Sequence, residues 1–254
     1  MTVTFWAHKI RLDSGEFTLP AATELVEDSA WFVSAKRVLD TVFPGDKGAY
    51  RIADLGCLEG GYAVGFARMG FQVLGPDVRE SNIAACRHVK AHVDLPALEF
   101  VCDDAWNIGS YGRFDAVFCC GLLYHLDKPR RFLELLSTVT GKLLIVQTHF
   151  STEEPNLRYV LSDIAENEDM LGRWYTEYQD DAAFGERETR MLSSWDNRRS
   201  FWLKKQFLVQ VIKDAGFDLV MEQYDSLGAD IEGSMSFGYY KTDERGTFIG
   251  IKTG

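Results

Sequence analysis

The sequence predicts a doubly wound α/β fold, a mostly parallel sheet with helices on both faces, and three observations point to it. Short apolar runs alternate with amphipathic helical patterns through the middle of the chain, which is the order that builds parallel sheets. A glycine-rich segment, Arg51-Ile-Ala-Asp54-Leu-Gly56-Cys-Leu-Glu-Gly60-Gly61, ends the first run and opens a helix. Acidic or polar groups then recur where the following runs end, and open α/β sheets bind ligands at the carboxyl ends of their strands.

Residues before 50 supply one helix, Asp28–Phe43, stopped by Pro44-Gly45. Strands are expected at Tyr50–Asp54, Phe71–Gly75, Leu98–Cys102, Phe114–Cys120 and Lys142–Gln147. Helices fall between them at Gly60–Arg68, Glu80–His92 and Pro129–Thr138. Asp127 can cap the last of these, and Pro129 sits in its first turn, where a missing N–H costs nothing. Ser151–Ser200 breaks the rhythm: it is polar, acidic and rich in aromatics, without a clean strand pattern. The alternation resumes with the amphipathic Leu203–Ala215, the stop at Gly216, the strand-like Phe217–Glu222 and a closing run, Thr247–Ile251. The expected organisation is one domain over 1–254, with an N-terminal helical cap (1–48), a core (49–150 and 201–254) and a lid insertion after the fifth strand (151–200).

The composition narrows the partners. A chain of 254 residues that is 46% hydrophobic hides roughly 70–75% of its unfolded surface on folding, enough for a sizeable core. A net charge of −11 repels phosphate backbones and argues against nucleic acid or an anionic membrane as partner. No apolar run reaches the roughly 18–20 residues that span a bilayer. The N-terminal MTVTFWAHKIRLDSGEF has no apolar h-region, so it reads as no signal peptide. Five cysteines at 57, 86, 102, 119 and 120 contain no CxxC pair, which fits reduced thiols in a cytoplasmic protein. His88 and His92 have metal-ligand spacing, but nothing completes that set, and no metal is expected. Oligomeric state is not readable.

The chemistry is written at the strand ends. Gly56 and Gly60 let the backbone turn sharply beside a ligand, and the helix that follows offers unpaired N–H groups. No Gly-Lys-Ser/Thr follows and the spacing is not GxGxxG, so neither a phosphate loop nor a dinucleotide fingerprint is present. Asp77, in Val73-Leu-Gly-Pro-Asp77, stands where an acid reaches the two hydroxyls of a ribose. Cys102-Asp103-Asp104-Ala105-Trp106 follows at the third strand, with either acid able to accept from an adenine amino group. Asp115-Ala-Val-Phe-Cys-Cys120-Gly121-Leu-Leu-Tyr124-His125 closes the fourth.

These four segments, in this order and spacing, resemble the motifs of class I S-adenosylmethionine-dependent methyltransferases of the small-molecule type, over roughly residues 48–150 and 201–254. The resemblance implies a seven-stranded Rossmann-like methyltransferase fold whose last strand, Thr247–Ile251, runs antiparallel. It implies S-adenosylmethionine as cofactor. Asp54, Gly56, Cys57, Leu58 and Gly60 are then assigned to the methionine moiety and its surroundings, and Asp77 with Val78 to the ribose. Asp104, Ala105 and Trp106 fall to the adenine, and Cys120 and Gly121 to the floor beside the sulfonium. Leu58 replaces the family's usual middle glycine, and Pro76 precedes the acid where an aliphatic residue is usual.

On the acceptor side, His125 is the titratable group best placed to hold or deprotonate a substrate, with Tyr124 beside it. His149 follows the fifth strand. His8, in a segment resembling the pocket-covering start of some small-molecule methyltransferases, joins as a pocket residue. The lid contributes Trp174, Tyr175, Tyr178, Trp195 and Arg199, apolar walls with few polar groups that suit a small acceptor. Two other readings stay open: a tRNA wobble-uridine modifier, suggested by GLLYHLDKPRRF and WLKKQFL, and a non-catalytic protein that binds the cofactor as a regulator.

Overall fold

The computed structural model describes residues 3–154, 156, 158–224 and 244–253. The parts of the expected cap, lid and core at 1–2, 155, 157, 225–243 and 254 lie outside the described residues. Two compact units make up the chain, one running to Phe118 and the other starting at Cys119.

In the first unit a single 3-10 turn at Val26–Asp28 leads into α1, Ala30–Val42. The helix starts later than the expected Asp28 because Ser29 is its cap, its hydroxyl accepting the Phe32 N–H. Then come β1 (Arg51–Leu55), α2 (Gly61–Arg68), β2 (Gln72–Asp77), α3 (Glu80–Ala91), β3 (Leu98–Cys102) and β4 (Phe114–Cys120), whose last two residues already belong to the second unit. β2 pairs in parallel with β1 and with β3. Gly65 is required by packing: a Cβ there would stand 2.4 Å from the Phe32 ring.

The second unit continues with α4 (Pro129–Val139), β5 (Thr140–His149), β6 (Ala165–Asn167), β7 (Met170–Thr176), α5 (Asp181–Gly185), β8 (Arg199–Leu203), α6 (Lys205–Asp214), β9 (Leu219–Gln223) and β10 (Arg245–Ile251). The main sheet has seven strands in the order β3-β2-β1-β4-β5-β10-β9. β10 is antiparallel to both of its neighbours, β5 and β9, as the resemblance implied for the last strand.

Two local expectations are overturned. The insertion is not strandless: β6, β7 and β8 form a three-stranded antiparallel sheet. Its pattern is hidden by Gly172 and Arg173. A Cβ on Gly172 would meet the Trp202 carbonyl at 2.4 Å. Arg173 is buried although cationic, because its guanidinium donates to the carbonyls of Thr152, Glu153 and Ser162, a compensation that no local pattern reveals. Nor does Asp127 cap α4. The cap position is Lys128, without a side-chain bond, and the first N–H groups, of Arg130 and Arg131, donate instead to the Glu168 carboxylate at 2.9 and 3.2 Å. Glu168 reaches them from the β6–β7 turn, where it and Asp169 take positive φ of 53° and 62°, the geometry of a tight two-residue hairpin.

Candidate functional site

The glycine-rich loop is held by backbone chemistry. Gly56 and Cys57 both donate to the Pro76 carbonyl at 3.0 and 3.2 Å, so proline costs the loop nothing: its carbonyl is the group used. Leu58 adopts φ 50°, the left-handed conformation that glycine takes freely and other residues take at about 1–2 kcal/mol. The position is spent on a bond, since its N–H donates to Asp77 Oδ2 at 3.0 Å. Gly60 has φ 79°, and a Cβ there would lie 2.5 Å from Phe100.

Glu59 is fully buried and accepts three N–H groups, from Trp6, Ala7 and His8, at 2.6, 3.2 and 2.7 Å. His8 Nδ1 in turn accepts the Gly61 N–H at the start of α2 at 3.0 Å. Burial lowers the His8 pKa to about 4, keeping neutral the imidazole whose lone pair this bond needs. The N-terminal segment therefore lies against the loop, and the His8 ring nitrogen that faces the loop serves the helix start.

Asp77 accepts from Arg79 N–H and Asn82 Nδ2 at Oδ1, at 2.9 and 3.0 Å, besides Leu58 at Oδ2. Burial raises its pKa against those bonds. A carboxylate offers about four acceptor sites, which leaves Asp77 capacity beyond these three. Buried Asn82 Oδ1 and Asp54 Oδ2 have no partner among the described residues. Asp104 caps the short helix Ala105–Tyr111 through the Trp106 N–H, while Asp103 takes Asn107, Tyr111 and the Asp104 N–H. Val78 adjoins this region, its carbonyl receiving the Cys102 thiol at 3.6 Å.

Burial, with the nearby Asp77 charge adding to it, raises the Asp54 pKa to about 7 against a bond from the Ala63 N–H. Between about pH 4 and pH 7 the folded state therefore holds a proton that the unfolded chain has lost, so stability falls as pH rises through that window. At 1.36 kcal/mol per unit the change is at most about 4 kcal/mol. Asp54→Asn, which retains an acceptor for Ala63, is expected to flatten this slope and raise the melting temperature at pH 8. A wild-type melting temperature independent of pH between 4 and 7 would refute the assignment.

In the second unit Gly121 has φ 78°, and a Cβ there would lie 3.6 Å from the Tyr124 hydroxyl and 3.7 Å from Arg245 Nη2. Burial raises the Tyr124 pKa, so this phenol stays a donor and is no base. His125 Nδ1 lies 2.9 Å from Glu177 Oε1. The Glu177 carboxylate is 1% exposed and is held by the Ser200 hydroxyl at 2.8 Å and the Ser194 N–H at 3.1 Å. His149 stacks on Trp202 at 4.7 Å and 10°, with Tyr124 and Tyr159 edge-on at 4.7 and 5.0 Å. Cys120 donates to Gln147 Oε1 at 3.6 Å.

The lid residues divide. Tyr175 stacks on the Trp202 ring at 5.4 Å and so joins the His149 group. Trp174 and Arg199 alternate to the other face of the small sheet, where Arg199 lies 4.6 Å over the Trp174 ring. Tyr178 and Trp195 serve a local core, Tyr178 through Phe184 and the Ser194 carbonyl, Trp195 under Arg187. Glu177, Ser200, Asn82, Gln147 and Arg245 carry no motif. Glu177 is legible only as an acid between two tyrosines.

Residues 53–142 match the model of a family described as a methyltransferase domain. This segment is similar to a methyltransferase domain. The match includes the loop, Asp77, the Asp103–Asp104 pair and His125. A protein of Geobacillus sp. (strain WCH70) named as a methyltransferase is 37% identical over 113 residues, 41% of this chain and 44% of the relative. The mitochondrial ubiquinone biosynthesis O-methyltransferase of Arabidopsis thaliana is 31% identical over 126 residues, 49% of this chain and 38% of the relative. The methyltransferase match thus spans less than half the length of either protein. Among solved structures, the N-terminal domain of EvdMO1, determined in the presence of S-adenosylhomocysteine and D-fucose, superposes with a TM-score of 0.68 at 20% identity, covering 98% of this chain and 91% of that one. That similarity extends the methyltransferase fold beyond the family match to nearly the whole chain.

Proposed function

We propose that the chain transfers the methyl group of S-adenosylmethionine to a hydroxyl of a small soluble molecule, with His125 as general base. The observation that carries this reading is the His125–Glu177 pair. A buried carboxylate on Nδ1 fixes the ring orientation and its proton, so that Nε2 presents a lone pair. A hydroxyl is the acceptor whose proton must leave as the oxygen attacks, and a regulatory cofactor binder has no use for such a pair. The net charge of −11 favours a small acceptor over RNA.

The residues of the first unit fit the cofactor. Asp77 with acceptor capacity to spare, and the unpartnered Asn82 Oδ1, suit two ribose hydroxyls, and the bare Gly56 and Gly60 permit close approach. When bound, S-adenosylmethionine supplies an electrophilic methyl carbon on a sulfonium. The chain's part would be to orient the hydroxyl, exclude water and take its proton at His125 Nε2.

Titration calorimetry with S-adenosylhomocysteine tests the cofactor half. The wild-type protein is expected to bind it, and Asp77→Ala to weaken binding by about 1–3 kcal/mol, the cost of stranding buried hydrogen-bonding groups. Equal affinity in the two proteins would remove Asp77 from the site.

A further inference from the structure

One face of the β5–β10 pair carries four polar side chains near the carboxyl end of β5. Gln147 and His149 are two residues apart, with Thr247 opposite the first and Arg245 opposite the second, so the pleat puts all four on one side. Gln147, Thr247 and His149 are only 1%, 4% and 8% exposed. Nevertheless Gln147 Nε2, His149 Nδ1 and Thr247 Oγ1 have no hydrogen-bond partner among the described residues. Buried polar groups nearly always have partners, and three without one on neighbouring positions of one face need a reason.

The orientation of two of them is decided by what their other atoms do. Gln147 Oε1 accepts from Arg245 Nη2 at 2.8 Å and from the Cys120 thiol at 3.6 Å, so Nε2 is left as a donor. The His149 ring hydrogen-bonds the Glu244 carbonyl, while burial and the Arg245 charge hold its pKa to about 3. The ring is therefore neutral, and the unpartnered Nδ1 is a lone-pair acceptor. Tyr124 links this face to the base: its ring lies 4.7 Å from His149 and 4.3 Å from His125.

We propose that Gln147, His149 and Thr247 form the recognition subsite for the methyl acceptor, and that the acceptor is a ring compound with two neighbouring hydroxyls. The proposal rests on the methyltransferase reading above and names its acceptor class. One hydroxyl donates to His149 Nδ1, and its neighbour, the hydroxyl that is methylated, accepts from Gln147 Nε2 and keeps its own proton for His125. Gln147 and His149 hold alternate positions of one strand and so share a face, and a ligand that sets an acceptor beside a donor can meet both. The Thr247 hydroxyl can complete either bond. Aromatic and saturated rings both present such a pair.

Calorimetric titrations with and without S-adenosylhomocysteine, using catechol against phenol and trans-1,2-cyclohexanediol against cyclohexanol, test this directly. In one of the two ring classes the dioxygen compound is expected to bind about tenfold more tightly than its one-oxygen analogue, the value of one good buried hydrogen bond. Which class shows the preference identifies the ring. Gln147→Leu and the isosteric Thr247→Val are each expected to shrink that preference while leaving S-adenosylhomocysteine affinity unchanged; Thr247→Val preserves the strand should Gln147→Leu fail to fold. Equal binding of both members of both pairs, or a preference that survives in both folded variants, would overturn the subsite. A dioxygen preference intact in a protein that does not bind S-adenosylhomocysteine would support the subsite and refute the methyltransferase reading.

Discussion

His125→Ala is expected to lower methyl transfer by about 10²- to 10⁴-fold, the scale of a positioned acid–base group, with S-adenosylhomocysteine affinity unchanged. The ring is 14% exposed at the side chain and is held at 2.9 Å by Glu177, so its removal empties a small, partly open space. Glu177 does not itself meet the acceptor in this reading; it is a positioning residue. Glu177→Gln keeps the shape and an oxygen for Ser200, but removes the charge that stabilises the imidazolium formed as the proton arrives. The expected signature is a fall in kcat with KM unchanged. A merely structural role would move the melting temperature and leave kcat per folded molecule as it was. Full activity in His125→Ala would eliminate the base.

Glu59→Leu is expected to release the N-terminal segment from the glycine-rich loop. The substitution leaves the Trp6, Ala7 and His8 N–H groups facing an apolar side chain. A buried donor without a partner costs about 1–3 kcal/mol, a cost borne in full by the buried His8 N–H and in part by the half-buried Trp6 and Ala7 N–H groups. The chain has a cheaper course, which is to undock residues 6–8 and let water take the N–H groups. His8 then leaves the Gly61 N–H, and the start of α2 loses its partner as well. Hydrogen exchange read at residues 6–8 and 61 is expected to accelerate by orders of magnitude, with a clear fall in melting temperature. Unchanged protection at those amides would show that the carboxylate does not hold the segment.

Much of the glycine-rich loop was legible because its signals are local. A strand, a glycine turn and a helix start follow one another within a dozen residues around Gly56 and Gly60, and backbone conformation alone demands glycine at such points. The order of strands and helices was similarly readable, with ends displaced by a few residues where a cap decided them, as Ser29 did for α1. The antiparallel sheet of the insertion was not readable. Arg173 and Gly172 interrupt the apolar alternation of β7, and what makes them tolerable there, three backbone carbonyls for one and the Trp202 backbone for the other, comes from elsewhere in the chain.

By itself the sequence determined the α/β class, the presence of acids at the strand ends and the place of His125, since each depends on residues close together along the chain. Only the tertiary structure decided what those residues do. It brought Glu177 across 52 positions to His125, Glu59 across 51 to His8 and Arg245 across 98 to Gln147. Burial decided the protonation of Asp54 and His149. The reason is physical: a hydrogen bond or a desolvated charge depends on distance and surroundings in space, and chain spacing constrains neither once the separation exceeds a turn or a hairpin.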